Sequence, residues 1–275
     1  MKRTTRTLMA RQTVAICDAG FYESSSRKRV SIVDELTKAK AGTVLYSPEN
    51  PPVARTPEVK GETRIGVRNE TTFQALARLA VSGSGHLACL NFASARNPGG
   101  GFLNGSLAQE EALACASGLY PCLLNAPGYY ERNRAHRSAL YLDLAIFSPH
   151  VPFFRDDTGA LIEKPILASV ITSPAPNAGA IAQNEPANLN QLEPTLLRRA
   201  ELVLEIARAH QVDQLILGAW GCGVFRNDPH IVARIFADLL KPAGKFAGNF
   251  NEVVFAVFDR SEDEATHRAF ADIFR

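Results

Sequence analysis

No stretch of the sequence reaches the ~18 uninterrupted apolar residues that a membrane-spanning helix needs. The opening residues, MKRTTRTLMARQT, are basic but lack the apolar run of a secretory signal. Neither a membrane span nor export is expected, and the cytoplasm is the expected setting. Cysteine is sparse: Cys17, Cys89, Cys115, Cys122 and Cys222 are an odd number at irregular spacings. Cys-x-x-Cys and His-x-x-x-His are both missing, so the pattern favours reduced thiols over a disulfide framework or a zinc site. Walker and G-x-G-x-x-G phosphate motifs are missing too, as are internal repeats and low-complexity tracts.

What is there fits a water-soluble globular protein. The 275 residues are 46% hydrophobic and 21% charged, enough to bury a substantial core. Net charge is +2 but unevenly spread. Residues 1–80 hold fourteen Lys and Arg against eight Asp and Glu, and the remainder holds sixteen against twenty. A basic first third helps to attract a polyanion; a solvated helical surface is the plainer explanation.

The periodicity predicts helices over residues 7–23, 28–40 and 71–81, with a short strand from Thr43 to Tyr46. A loop carrying Pro48, Pro51, Pro52 and Pro57 follows that strand. From residue 86 the texture changes. Near-continuous apolar runs at 86–93, 139–147, 166–172, 214–219 and 252–258 suit strands covered on both faces. Helical patterns fall at 107–119, 194–210, 229–240 and 262–273, while 173–192 and 241–251 read as loops. Alternating strands and helices imply an α/β fold of three layers. Ligands in such sheets bind beyond the carboxyl ends of strands, which directs attention to the loops after residues 93, 172 and 219.

The first of these loops reads Asn97-Pro98-Gly99-Gly100-Gly101 and, after seven intervening residues, Gln109-Glu110-Glu111. Successive glycines let backbone approach a ligand closely. The acidic pair falls at a helix start, where the helix dipole favours carboxylates with or without a function. The third loop, Gly218 to Phe225, is rich in small residues and can form a nest of amides around phosphate, or simply a tight turn. Within it Cys222 has no neighbouring His or Cys and reads as a small loop residue, not a nucleophile. Trp220 reads as core. The middle loop, Thr172 to Asn177, is stiffened by Pro174 and Pro176.

Together these motifs resemble the short bacterial poly(ADP-ribose) glycohydrolases, which are built on a macrodomain. That family's signature is a triglycine, a spacer, and Gln-Glu-Glu; Gly99-Gly100-Gly101 and Gln109-Glu110-Glu111 meet it. Gly221-Cys222-Gly223-Val224-Phe225 resembles the family's diphosphate loop, and the Phe147-Ser148-Pro149 and Thr172-to-Asn177 stretches share its look. The resemblance implies a macrodomain-like α/β/α sandwich with a mixed central sheet over residues 81–275, carrying a helical extension over 1–80 in one compact unit. It implies Glu111 as acid/base and Glu110 as the group holding the ribose hydroxyls. Asn97, Gly99, Gly100, Gly101 and Gln109 would line the ribose. Gly221, Cys222, Gly223 and Val224 would bind the diphosphate, and Phe225 would stack on a ribose or the adenine. No cofactor or metal is implied. The implied partners are poly(ADP-ribose), ADP-ribose and ADP-ribosylated proteins, with no membrane or direct nucleic-acid binding, in a DNA damage response.

The implied reaction cuts a ribose–ribose O-glycosidic bond. Its transition state resembles an oxocarbenium ion, and the departing oxygen needs a proton. A glutamic acid supplies one near neutral pH if burial and a neighbouring carboxylate raise its pKa. Two alternatives stand beside it: a macrodomain that binds ADP-ribose without cutting, and a hydrolase for single ADP-ribose modifications.

Overall fold

The computed structural model describes residues 1–53, 60–82 and 85–275; Pro57, expected in a loop, lies outside them. The first third contains α1 (Arg3–Ala19), β1 (Phe21–Glu23), β2 (Arg29–Ser31), α2 (Val33–Ala41), β3 (Val44–Tyr46), β4 (Arg64–Arg68) and α3 (Thr72–Ser82). Then come β5 (Leu87–Phe92), α4 (Gln109–Ala116), α5 (Leu119–Leu124), α6 (Pro127–Ala135), β6 (Ala145–Arg155) and β7 (Leu161–Ser173). The chain closes with α7 (Ala178–Asn184), α8 (Leu192–Ala209), β8 (Gln214–Leu217), α9 (Pro229–Leu240), β9 (Glu252–Ala256) and α10 (Ala265–Ile273).

Seven strands form one mixed sheet in the order β3-β6-β7-β5-β8-β9-β4. The pairs from β7 through β5, β8 and β9 to β4 are parallel, and β6 is antiparallel to both its neighbours. Side chains alternate between the two faces, as strand geometry requires. Ala88, Leu90, Leu215, Leu217, Val253 and Phe255 join one buried cluster, with α8 and α9. Leu87, Cys89, Ile216, Val254 and Ala256 join a second cluster on the other face, with α2, α3 and α5. Helices cover both faces, so the fold is the three-layer α/β sandwich that the alternation implied.

Several boundaries differ from the sequence reading. The helix expected over 7–23 stops at Ala19, because Gly20 takes a left-handed φ of 75° and its amide caps the carbonyl of Ile16. Residues 21–23 pair instead with 29–31 in a hairpin, and the second helix begins only at Val33. Four short strands thus lie among the described residues of the first eighty, and β3 and β4 form the two edges of the sheet. The strand expected over 139–147 starts at Ala145. Before it, the carbonyls of Leu140 and Tyr141 are taken up by the buried guanidinium of Arg199 instead of a ladder. The expected loop 173–192 contains α7 and a 3₁₀ turn, Pro186–Gln191. Among the described residues, no helix is long and apolar enough to cross a membrane.

Candidate active site

β7, β5 and β8 are adjacent and parallel, so their terminal loops leave the same edge of the sheet. They converge on one carbonyl. Ser173 O, at the end of β7, accepts from Ala93 N at 3.2 Å and from Trp220 Nε1 at 3.1 Å. Trp220 is buried in the core, as read from the sequence, and its indole braces the third loop against the second.

The triglycine loop folds directly onto the acidic pair. Gly100 has φ 59°, and a Cβ there would collide with Glu111 Oε1 and lie 3.1 Å from Glu110 Oε2. Only glycine fits that backbone beside those oxygens. A 3₁₀ turn, Phe102–Asn104, then leads to α4, in which Gln109, Glu110 and Glu111 are the first three residues. Glu111 Oε2 reaches back to Ala108 N at 2.9 Å, the bond by which a third-position glutamate closes a helix start. Its Oε1 accepts from Gly101 N at 3.0 Å. The side chain is half-buried, with open surface remaining.

Glu110 has different surroundings. It is 3% exposed, with Oε2 accepting from Ser94 N at 2.6 Å and Oε1 facing Asn91 Nδ2 at 3.4 Å. Burial pushes its pKa up to about 8, the neighbouring Glu111 charge adds to the rise, and the bonds from Ser94 and Asn91 oppose it. The raised carboxyl expected of the pair therefore resides on Glu110. Gln109 turns away from the cleft: Oε1 accepts from Phe92 N at 2.9 Å, and Nε2 donates to Leu90 O at 2.7 Å and Thr72 Oγ1 at 3.2 Å. Both ends of its amide are committed, and they weld the first turn of α4 to β5. Asn97 is exposed on the loop rim, with its amide bonded to Ser94 Oγ at 3.1 Å.

In the third loop, the amides of Gly223, Val224 and Phe225 have no acceptor among the described residues, while Cys222 N bonds to Ala219 O at 3.1 Å. Three successive unspent amides are a candidate cradle for anionic oxygens. The left-handed residue here is Gly221, with φ 74°, where a Cβ would strike Asn227 Nδ2. Asn227 donates to Pro176 O at 2.9 Å and Gly221 O at 3.1 Å, tying this loop to the middle one. Val224 is 82% exposed, so its amide, not its side chain, belongs to the cradle. Burial pushes the Cys222 thiol up to about 12, which suits a packing residue and not a nucleophile. Phe225 is half-buried, 6.1 Å between ring centroids from Tyr141.

Sequence reasoning missed the supports. Arg199, fully buried, donates to Pro174 O at 2.9 Å and Asp143 Oδ1 at 3.0 Å, pinning the middle loop from behind. Its signal was a charge on the apolar face of a helix. Asn91 carried a similar signal, a polar residue inside an apolar strand. Asn227 and Ser94 act through individual hydrogen bonds between loops and helix start, which leave no periodic pattern.

Unspent amides on one strand end and a carboxyl pair beside the next, at one edge of a three-layer sheet, are an arrangement that can hold a phosphorylated sugar with acid/base groups at one end. The family comparison agrees with that class. Residues 10–156 match the model of the microbial-type poly(ADP-ribose) glycohydrolase (PARG) catalytic domain. The chain is 45% identical to PARG from Thermomonospora curvata over 98% of this chain and 99% of that one, with a TM-score of 0.93. The same enzyme bound to the inhibitor ADP-HPD matches at 46% identity over 98% and 99% of the two chains, TM-score 0.91. PARG from Deinococcus radiodurans in complex with ADP-ribose matches at 47% identity, covering 86% of this chain and 96% of that one, TM-score 0.80. No curated protein sequence matches. This chain belongs to the microbial-type PARG family.

Proposed function

We propose that this protein hydrolyses the ribose–ribose O-glycosidic bonds of poly(ADP-ribose) and releases ADP-ribose. The observation that carries the reading is the closeness of Gly100 to both carboxyl groups, together with the free amides of Gly223 to Phe225 on the neighbouring strand end. The complexes of the two relatives with ADP-HPD and ADP-ribose support the ligand class. The diphosphate lies on those amides, Phe225 stacks on a ribose or the adenine, and the terminal ribose lies against Gly99 to Gly101 with Asn97 at its rim. Gln109 holds the acidic pair in place from behind.

Glu111 is the acid/base. It is the member of the pair with open surface, so the leaving oxygen and the later water reach it. Glu110 orients the ribose hydroxyls, and burial keeps a proton on it near neutral pH. Glu111 gives its proton to the leaving ribose oxygen as the glycosidic bond breaks, which leaves a cationic sugar beside the diphosphate, whose negative charge favours it; ionised Glu111 then takes a proton from the attacking water. The plan differs from glycosidases whose carboxylates face each other across the sugar. The setting implied by the family is turnover of polymer on ADP-ribosylated proteins in the DNA damage response.

A module that only binds ADP-ribose has no use for a carboxyl pair held against the ligand loop, which favours the enzyme. Incubation with labelled polymer and, separately, with mono-modified protein tests the choice. Release of ADP-ribose from polymer is expected, and Glu111→Gln should lower turnover by about 10²–10⁴-fold while ADP-ribose still binds. A Glu111→Gln variant at the wild-type rate would remove the role assigned to Glu111. No release by the wild type from either substrate would leave a binding module, and release from mono-modified protein alone a single-unit hydrolase.

A further inference from the structure

The proposed activity does not use the basic charge at the start of the sequence. Residues 1–17 contain Lys2, Arg3, Arg6 and Arg11 and no acidic residue. Among the described residues none of the four has an ion-pair partner. Three of them crowd the start of α1, whose first turn has no carboxylate, although the helix dipole there disfavours positive charge. Local choices that oppose helix stability mark a place where something else is gained.

α1 also borders the catalytic loop. Arg3 Nε donates to Asn104 O at 2.8 Å and Arg6 Nε to Gly105 O at 2.7 Å. The same loop begins at Gly101, whose amide donates to Glu111 Oε1 at 3.0 Å. One short turn therefore separates the proposed acid from α1. Arg3, Thr7 and Arg11 follow a four-residue spacing that places them on one face, and with Thr4 and Leu8 they line a surface depression of about 310 Å³. Arg3 spends only its Nε edge on the loop, so its outer edge is open to a ligand.

The polymer supplies a matching group. The leaving oxygen is a ribose hydroxyl of the next unit, and the 5′ carbon of that same ribose carries a second diphosphate. A few bonds separate it from the cleavage point, on the side away from the first diphosphate. We propose that the exposed face of α1 is a subsite for this diphosphate of the leaving unit, with Arg3 and Arg11 as its cations and Thr4 as a hydroxyl donor. The inference rests on the polymer-cleaving reading above.

The test compares KM for short poly(ADP-ribose) with KM for an aryl glycoside of ADP-ribose, which has the first diphosphate and lacks the second. Arg11→Glu should raise KM for polymer about tenfold at ~0.05 M salt, with the rise shrinking as salt screens the contact, and leave kcat in place. Arg11→Gln should shift it in the same direction by less. Lys38→Glu, the same charge change on the exposed side of α2, should leave polymer KM as in the wild type. An unchanged polymer KM in Arg11→Glu, or an equal rise for the aryl glycoside, overturns the subsite. A wild type that cleaves neither substrate overturns the polymer-cleaving reading and the subsite with it.

Discussion

Adjacent glutamates at a helix start meet unlike surroundings because successive side chains diverge by about 100° around the axis. Glu111 bends back to its own helix start, where two amides hold it, while Glu110 points into the strand ends beneath Ser94 and Asn91. The buried carboxyl carries a cost that depends on pH. Its folded-state pKa of about 8 lies above the ordinary glutamate value of 4.5. Between those two values the unfolded chain gives up a proton that the native chain keeps, so stability falls as pH rises through that window and levels off above about 8. The loss is on the order of a few kcal/mol. Glu110→Gln removes the titration, so its melting temperature relative to the wild type should climb between pH 5 and pH 8. Calorimetric melts at several pH values check this, and a difference that stays constant from pH 5 to pH 9 would show that Glu110 is not a desolvated acid. The same substitution should impair cleavage, through misplaced ribose hydroxyls.

At the scale of elements, the sequence revealed what depends on periodic burial and hid what depends on single bonds. β5, β8 and β9 are buried on both faces, and their apolar runs announced them within a residue or two. α6 gave no such signal, because its buried residues are Tyr129, Tyr130 and Asn133, a mixed set without a clear apolar stripe. α7 is seven residues long and is started by the Asn177 side chain accepting from Ala180 N at 3.0 Å, a device too local for a periodicity search. The run 139–144 looked like strand because it is apolar, yet Arg199 supplies the partners a strand would have. In the third loop the motif was legible, but which glycine bends the chain and which faces the ligand was not. Gly221 does the first: its φ of 74° and the nearby Asn227 amide forbid a side chain. Gly223 is free for the second, since a Cβ there meets nothing within 4 Å and leaves room for the proposed ligand. Gly223→Val should therefore melt like the wild type while its affinity for ADP-ribose falls by about tenfold to a hundredfold, the worth of one or two hydrogen bonds to a charged group. Calorimetric titration with ADP-ribose decides it; unchanged affinity in a folded variant would take the diphosphate off this loop.

Across the whole molecule, the division between a first part ending at residue 80 and a catalytic part beyond it describes the motifs better than the packing. Every sequence motif of the site lies after residue 90, yet the sheet that presents them is closed by strands from before residue 70. β4 pairs in parallel with β9 from Arg64↔Glu252 to Arg68↔Ala256, and β3 pairs with β6 from Val44↔Phe147 to Tyr46↔Ala145. Thr13 Oγ1 donates to Cys115 O at 2.6 Å, fastening α1 to the helix that begins with the acidic pair. Ile16, Ile32, Leu36, Leu76 and Leu79 are buried in the core cluster that includes Leu113, Ile146, Val254 and Ala256. Burying five such side chains contributes roughly 8–15 kcal/mol, and net domain stability is only about 5–15 kcal/mol. Removing them exposes the facing half of the cluster and both edges of the sheet, which invites strand pairing between copies. Residues 81–275 expressed alone should therefore fail to fold into the native sheet, aggregating or remaining without fixed side-chain packing. Near-ultraviolet circular dichroism and amide exchange of the fragment check this against the full chain. Native-like spectra and slow exchange in β5 and β8 would mean that the later residues form a self-sufficient domain and that the first eighty are an addition to it.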